Sequence, residues 1–349
     1  IRLLFSLEKE NRPATPEEQE ILAKYVGWGG LSDVFDSTKS NWSNEYEELK
    51  SLLSDEEYAQ ARESTLTAFY TPPIVIDSIY SVLDNLGFRY GNILEPACGI
   101  GNFLGRLPDQ MKDSKLYGIE LDSISGRIAK QLYQKANISV DGYENTNLPN
   151  NFFDIAISNV PFGQFKVSDK RYDKLNFNIH DYYFAKTLDK VRPGGIVAFV
   201  TSKYTMDKAN SSVRKYISER AELLGAIRLP NTTFSESANT KAVSDILFLK
   251  KRERPMVLDE PWLYTQEDVN GFVYNAYFQD HPDMVLGNFE MTKSMYGRDE
   301  LTVVPFEDIP LKESLAKAVS NIQGEMDQII FDDNDIEDSN EEIVTIPAD

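Results

Sequence analysis

The sequence predicts an α/β protein with a doubly wound, mostly parallel sheet of seven strands. Short apolar runs alternate with amphipathic segments from about residue 66 to residue 250, which is typical of a parallel sheet covered by helices. The first run ends in a small-residue turn with two glycines, a feature of ligand-binding edges in such sheets. The last two runs are joined by a loop alone, which indicates an antiparallel pair at the edge of the sheet.

Each predicted strand is an apolar or β-branched run bounded by turn residues. The seven runs are residues 92–96, 115–120, 137–140, 153–158, 195–201, 223–229 and 244–250. Helical patterns fill the gaps at residues 72–87, 123–136, 181–191 and 211–222, and a further helix is predicted directly after Gly101.

A separate helical segment, residues 1–65, is predicted to precede this domain. Thr15, followed by a proline and two glutamates, has the pattern of an N-cap, and Gly27 is placed to stop that helix. A second polar helix is predicted at about residues 44–53, and a third begins near Ser54.

The rest of the chain is divided into an α/β domain at residues 66–252, a mixed C-terminal extension at residues 253–330 and an acidic linker at residues 331–349.

The formal net charge is -20, yet residues 67–250 carry 22 basic and 19 acidic side chains, whereas residues 251–349 carry 7 basic and 23 acidic side chains. The acidity therefore belongs to the flanking segments. The mildly basic middle can face a polyanion such as nucleic acid.

Composition narrows the class of protein. No apolar run approaches the roughly 18 residues needed to span a bilayer, so no membrane helix is expected. A single cysteine, Cys98, excludes an intramolecular disulfide, and with only two histidines a structural zinc site is not expected. A reducing, cytoplasmic setting fits this best. The start lacks a methionine and a signal-peptide pattern, which indicates an internal fragment or a processed chain.

The turn after the first predicted strand has the residue types of a ligand-binding loop. Gly99 and Gly101 remove side chains where a backbone must approach a ligand closely, and the helix predicted beyond them would offer free N–H groups to an anion. Leu104 occupies the third glycine position of the dinucleotide pattern, which disfavours NAD.

Acidic residues end the next two strands. Glu120 is of the right type and in the right place to accept hydrogen bonds from both hydroxyls of a ribose. After the third strand, Asp141 or Glu144 could bind an adenine amino group and Tyr143 could cover the ring. The sequence does not decide between the two acids.

Five motifs follow one another along the middle of the chain. They are FYTPP at residues 69–73, EPACGIGNF at 95–103, the acid that ends the second strand, the acid and aromatic residue after the third, and NVPF at 159–162. Together they resemble the N6-adenine DNA methyltransferases, which carry FYTP, EPACGxGxF and NPPF or NPPY motifs, and especially the modification subunits of type I restriction systems. The segment GWGGLSDVFD at residues 27–36 resembles the methylase part of large phage and mobile-element methylase–helicase proteins.

The resemblance implies a Rossmann-like methyltransferase fold and S-adenosylmethionine as the cofactor. Residues 70–72 would border its methionine end, the two glycines would lie beneath it and Glu120 would bind its ribose. The residues expected at the cofactor are Tyr70, Thr71, Pro72, Glu95, Pro96, Ala97, Gly99, Gly101, Asn102, Phe103, Glu120, Asp141, Tyr143 and Glu144.

The resemblance also implies methyl transfer to the N6 amino group of adenine in DNA. Asn159 Oδ1 and the backbone carbonyl of Val160 would accept the two amino hydrogens, and Phe162 would stack on a base taken out of the duplex. Val160 stands where the family usually has proline, so a less pre-organised loop is expected, with Pro161 restoring part of the stiffness.

The segment that follows this loop is basic. Contact with DNA phosphates is the functional interpretation, and a solvated loop is the alternative. The residues concerned are Lys166, Lys170, Arg171 and Lys174. His180, further on, is expected to be a capping or packing residue, and Trp28 to anchor the N-terminal helices or to touch the cofactor.

Two alternatives to DNA methylation stay open at this point. An NPPF-like site also fits the amide of a protein glutamine or an RNA amine, although FYTPP and EPACG favour DNA. The chain could also be a non-catalytic methyltransferase-fold module of a larger DNA-processing protein. Because the acidic C-terminal part shows no basic recognition surface, target recognition is expected from a helicase or specificity region elsewhere in a longer polypeptide.

Overall fold

The computed structural model describes residues 1–29, 31–65, 70–234, 242–293 and 297–327. Phe69 of the FYTPP motif and the acidic linker predicted at residues 331–349 lie outside these ranges.

The N-terminal segment is helical, as predicted. Its helices are α1 (Arg2–Lys9), α2 (Pro16–Leu22), α3 (Ser43–Leu52) and α4 (Asp55–Ser64). Thr15 and Ser54 are the N-caps of α2 and α4, and each forms a capping box with the glutamate three residues on. The prediction that α2 extends to Gly27 is wrong, because the helix ends at Leu22. Helix α1 was not predicted, since its first residue makes no side-chain cap.

All seven predicted strands are present in one sheet. They are β1 (Asn92–Glu95), β2 (Lys115–Glu120), β3 (Asn137–Val140), β4 (Phe153–Asn159), β5 (Val191–Ser202), β6 (Ala221–Leu229) and β7 (Ser244–Lys251). Their order across the sheet is β3-β2-β1-β4-β5-β7-β6. Strand β7 is antiparallel to both of its neighbours and the other pairs are parallel, so the predicted fold class is confirmed.

Helices cover both faces of this sheet. They are α5 (Pro73–Asn85), α6 (Ser123–Leu132), α7 (Ile179–Lys190), α8 (Tyr204–Asp207) and α9 (Ser212–Arg220). The α-helix predicted after Gly101 is wrong, because that segment forms only short 3₁₀ turns at Leu104–Arg106 and Asp109–Met111. Gly105 and Pro108 are both unfavourable inside an α-helix, which accounts for the difference.

The C-terminal extension consists of two small hairpins and two helices. The hairpins pair β8 (Thr265–Glu267) with β9 (Val273–Asn275), and β10 (Asn288–Lys293) with β11 (Asp299–Val304). The helices are α10 (Ala276–Asp280) and α11 (Leu311–Asn321). Helix α11 packs on α5.

A buried guanidinium ties this extension to the sheet. Arg228 of β6 is 1% exposed and donates to both carboxylate oxygens of Asp245 and of Asp207, at 2.8–3.0 Å. The backbone N–H of Asn275 donates to Asp207 as well, at 3.0 Å. The ring of Phe278 lies 4.3 Å from the Arg228 guanidinium carbon. Sheet and extension therefore share one buried polar network, in which every charge has a partner.

Within the part of the chain that the structure describes, no helix combines the length and apolar character needed to cross a membrane.

Candidate active site

The two motif-bearing loops leave the sheet side by side. Strand β1 pairs with β4 in parallel, with Leu94 opposite Ala156, and β4 pairs with β5, with Asn159 opposite Val200. Parallel neighbours end at the same edge, so the turn after β1 and the loop after β4 meet at the carboxyl edge of the sheet. Ligands bind in open α/β sheets at this edge.

The two glycines of the turn after β1 have different roles. Both have positive φ angles, +56° at Gly99 and +88° at Gly101, which favour glycine. A Cβ atom on Gly101 would lie 2.3 Å from the ring of Tyr133, so this glycine is required by packing. A Cβ atom on Gly99 would have no atom within 4 Å, so this glycine keeps the backbone accessible.

Both carboxylate oxygens of Glu120 accept backbone hydrogen bonds, one from the turn after β1 and one from the loop after β2. Oε2 accepts from the Gly99 N–H at 2.7 Å, and Oε1 accepts from the Asp122 N–H at 2.8 Å. Burial raises the pKa of Glu120 to about 7, although these backbone hydrogen bonds oppose the shift. Each oxygen has a second lone pair, so the carboxylate can still accept hydrogen bonds from a ligand.

Unpartnered polar atoms surround this carboxylate. Glu95 Oε2 and Asp122 Oδ1 are buried and have no hydrogen-bond partner among the described residues. Burial, followed by the charge of Glu120, holds the pKa of Glu95 well above its usual range. Since buried polar groups are normally paired, the arrangement fits a polar ligand such as the adenosyl group.

The N-terminal segment contacts the FYTPP motif through Tyr25. Tyr70 Oη donates to the backbone carbonyl of Tyr25 at 2.8 Å, Thr71 is buried, and Pro72 is the N-cap residue of α5. Trp28 packs edge-on against the rings of Tyr25 and Phe35, so it anchors the N-terminal helices. Sequence reasoning missed Tyr25, because a tyrosine after a short helix carries no motif.

Two aromatic residues of the predicted cofactor set face the core instead. Tyr143 is 1% exposed, its hydroxyl lies 3.0 Å from Thr187 Oγ1, and its ring packs on Tyr183. This position does not fit the predicted role of covering an adenine ring. Phe103 is 2% exposed and packs in the main core, so it supports the turn after β1 and is not accessible to a ligand there.

The other predicted cofactor residues lie in the loops of the carboxyl edge. Asp141 is exposed, and its N–H donates to the Glu120 carbonyl at 2.9 Å, which joins the loops after β2 and β3. Glu144 is partly exposed. Both acids remain available for a ligand amino group. The turn after β1 also contains the remaining predicted positions, Pro96, Ala97 and Asn102.

The loop after β4 is held by a hydrogen bond that the family's usual proline cannot make. Val160 is 2% exposed, and its N–H donates to the carbonyl of Val200 at 3.1 Å. This bond continues the β4–β5 pairing into the motif and offsets the loss of proline's fixed φ. The expected loss of pre-organisation at Val160 stays a prediction, and this hydrogen bond acts against that loss. Asn159 and Phe162 are both partly exposed beside this anchored residue.

The basic segment that follows is attached to α7. Asp169 accepts hydrogen bonds from Tyr182 at 2.8 Å and from the buried Lys186 at 3.0 Å. Tyr172 Oη donates to Asp189 at 2.6 Å. These contacts leave four basic side chains exposed to solvent, namely Lys166, Lys170, Arg171 and Lys174.

A seven-stranded sheet of this order, with a glycine turn after β1 and an acid at the end of β2, defines the Rossmann-like methyltransferase class of folds. The chain belongs to the N-6 DNA methylase family, whose model matches residues 45–276. The resemblance seen in the five motifs is thereby confirmed.

Similar proteins include phage and archaeal chains. The chain is 27% identical over 314 residues to the "Defense against restriction protein B" of Escherichia phage P1, covering 86% of this chain and 12% of that protein. It is 22% identical to the type I restriction enzyme MjaIX methylase subunit of Methanocaldococcus jannaschii, covering 71% and 49%. The methyltransferase subunit of a type I system from Streptococcus thermophilus superposes with a TM-score of 0.45 at 17% identity, covering 71% and 64%. The chain thus spans about an eighth of the phage protein and half of the archaeal subunit.

Proposed function

We propose that this chain transfers a methyl group from S-adenosylmethionine to the N6 amino group of adenine in DNA. The observation that carries the proposal is the adjacency of the NVPF loop and the glycine turn, on neighbouring strands of a chain that belongs to the N-6 DNA methylase family. A methyl donor in the turn would lie beside an amino group held by the loop.

The residues at the turn are suited to hold the cofactor. When bound, S-adenosylmethionine supplies an electrophilic methyl group on a sulfonium sulfur. Gly99 admits the ligand close to the backbone, and Glu120 accepts hydrogen bonds from the two ribose hydroxyls. Asp141 or Glu144 binds the adenine amino group, and Tyr70 borders the methionine end.

The residues of the loop are suited to activate a poor nucleophile. The lone pair of adenine N6 is delocalised into the ring. Asn159 Oδ1 and the Val160 carbonyl accept the two amino hydrogens, which orients the nitrogen and favours its tetrahedral transition state. Phe162 stacks on the base after it has left the duplex. A charged general base is not required, because the methylated ammonium is acidic enough to lose its proton to solvent.

Recognition of the target sequence belongs, in this proposal, to a further part of a longer polypeptide. The extension after residue 250 is acidic, and the chain spans only a fraction of the relatives it matches. A helicase or specificity region is the kind of partner that would supply it.

The test is transfer of tritiated methyl groups to unmethylated DNA, followed by mass spectrometry of the hydrolysed nucleosides. We expect N6-methyladenine as the labelled product. Label on RNA or on a protein glutamine would favour the alternative function of the same site, methylation of an RNA amine or of a glutamine amide. Cofactor binding without transfer to any acceptor would favour a non-catalytic module.

Reversing two charges in the basic segment is expected to weaken DNA binding. The double variant Lys170→Glu with Arg171→Glu removes two exposed phosphate contacts beside the site. Affinity is expected to fall about tenfold at low salt, and the slope of log affinity against log salt to decrease by about 2. Fluorescence anisotropy with labelled duplex at several KCl concentrations measures both quantities.

A matched variant on helix α11 controls for net charge. Lys312→Glu with Lys317→Glu makes the same charge change on the exposed face of α11. An equal loss of affinity in both double variants would show that overall charge, and not the segment after the loop, governs binding.

A further inference from the structure

A buried histidine–aspartate pair lies beneath the loop after β4. His180 and Asp181 occupy the first turn of α7 and are 3% and 1% exposed. His180 Nε2 is 3.6 Å from Asp181 Oδ2. Burying two ionisable side chains is costly unless they are paired and hydrogen-bonded.

This pair contacts the loop and its continuation directly. The backbone of Gly163 lies against the imidazole, close enough to favour its protonated form. The N–H of Ile179 donates to the carbonyl of Phe165 at 2.9 Å. The first turn of α7 therefore holds the chain on the C-terminal side of Phe162.

Charged and polar groups from two other elements face the pair. Asp181 Oδ1 accepts from Thr205 Oγ1 at 3.1 Å. The positive charge of Lys208 lowers the pKa of both His180 and Asp181. The charge of Arg214, on α9, lowers the pKa of Asp181 as well. Asp181 Oδ2 is nevertheless without a hydrogen-bond partner among the described residues. A side chain that served only for packing would avoid this cost of about 1–3 kcal/mol per unsatisfied group.

We propose that His180, supported by Asp181, is a positioning residue for methyl transfer. It fixes the backbone at Gly163 and thereby the orientation of the Phe162 ring on which the target base stacks. The inference rests on the proposed function and deepens it, because it assigns control of the base-holding loop to a buried pair on α7.

The protonation state of His180 gives this role a pH dependence. Burial and the charge of Lys208 lower the pKa of His180 below its usual value of 6.5, against the opposing charge of Asp181. The imidazole is therefore neutral at neutral pH. Protonation below pH 6.5 would add a buried positive charge under the loop, so kcat is expected to fall as the pH decreases through that range.

The variants His180→Leu and His180→Gln separate positioning from packing. We expect His180→Leu to lower kcat about tenfold or more, with the Kd for S-adenosylmethionine within about twofold of wild type. His180→Gln keeps a hydrogen-bond donor and is expected to recover most of kcat without the decrease at acidic pH. His281→Gln, which changes the other histidine of the chain at an exposed position, is the control.

Hydrogen–deuterium exchange tests the positioning role without DNA. In peptides covering residues 159–165, exchange is expected to be about tenfold faster in His180→Leu than in wild type or His281→Gln. Unchanged exchange in these peptides would overturn the proposal, as would equal kcat values for wild type and His180→Leu. If the wild-type protein methylated no DNA, the proposed function would fail and the exchange rates alone would decide the role of His180.

Discussion

Replacing Asn159 by alanine is expected to lower the rate of methyl transfer by about 10²–10³-fold, the usual cost of deleting one pre-organised transition-state contact. The side-chain oxygen is one of two acceptors for the amino hydrogens, and the other is the backbone carbonyl of Val160, which the substitution leaves in place. Because Val160 stays bound to Val200 through its N–H, the loop is expected to keep its conformation. Affinity for the cofactor is expected to stay within about twofold, since the turn after β1 is unchanged.

Single-turnover transfer of tritiated methyl groups measures the chemical step, and calorimetry measures cofactor binding. Asn270→Ala makes the same truncation at an exposed turn of the C-terminal extension and is expected to behave as wild type. A transfer rate in Asn159→Ala close to that of wild type would remove Asn159 from the reaction. A parallel loss of cofactor affinity would place it at the cofactor instead.

Replacing Glu120 by alanine is expected to weaken cofactor binding by about 100-fold or more. Hydrogen bonds to a charged group contribute about 1.5–3 kcal/mol each, and the variant loses those to two ribose hydroxyls. It also removes the acceptor for two backbone N–H groups, that of Gly99 in the turn after β1 and that of Asp122 in the loop after β2. Glu120→Gln keeps one acceptor oxygen and is expected to lose less affinity.

The pH dependence of cofactor binding follows from the pKa of Glu120. Burial raises this pKa to about 7, so the carboxyl is mostly ionised at pH 8 and mostly protonated at pH 6. The ionised form is the better acceptor, and affinity is therefore expected to decrease as the pH falls through 7. Titration calorimetry at pH 6, 7 and 8 is the measurement. Glu120→Gln is expected to flatten the profile, and an exposed control, Glu313→Gln, to leave it intact. A profile unchanged in Glu120→Gln would assign the titration to another group.

Elements governed by local chemistry were predictable from the sequence. Strand β2 lies at the predicted residues 115–120, because a short apolar run bounded by polar turn residues leaves little choice of strand bounds. The N-caps at Thr15 and Ser54 were predictable for the same reason, since a capping box depends on residues three positions apart. The candidate site was predictable as far as its motifs: the order of glycine turn, acid and NVPF loop already indicated one edge of one sheet.

Features governed by packing were not predictable. Tyr143 follows the third strand as expected, yet its ring packs against α7. There it contacts the ring of Tyr183, and its hydroxyl hydrogen-bonds with that of Thr187. From the sequence, Val160 lacks the fixed φ angle of proline. The structure shows that its N–H donates to Val200 of β5, a contact between residues 40 positions apart in the chain. His180 was expected to be a capping or packing residue, since nothing local shows that Lys208 and Gly163 lie beside it.

The sequence by itself determined the seven-stranded sheet, the capped N-terminal helices and the types of residue brought to the carboxyl edge, because strand periodicity, capping and glycine turns act over a few neighbouring positions. Only the tertiary structure decided which of those residues are accessible at the carboxyl edge and which are buried in the core. It also decided that Tyr25 of the N-terminal segment joins them, and that a buried histidine lies under the loop after β4. The orientation of a side chain depends on partners distant in the chain, and such partners become neighbours only when the sheet and its helices assemble.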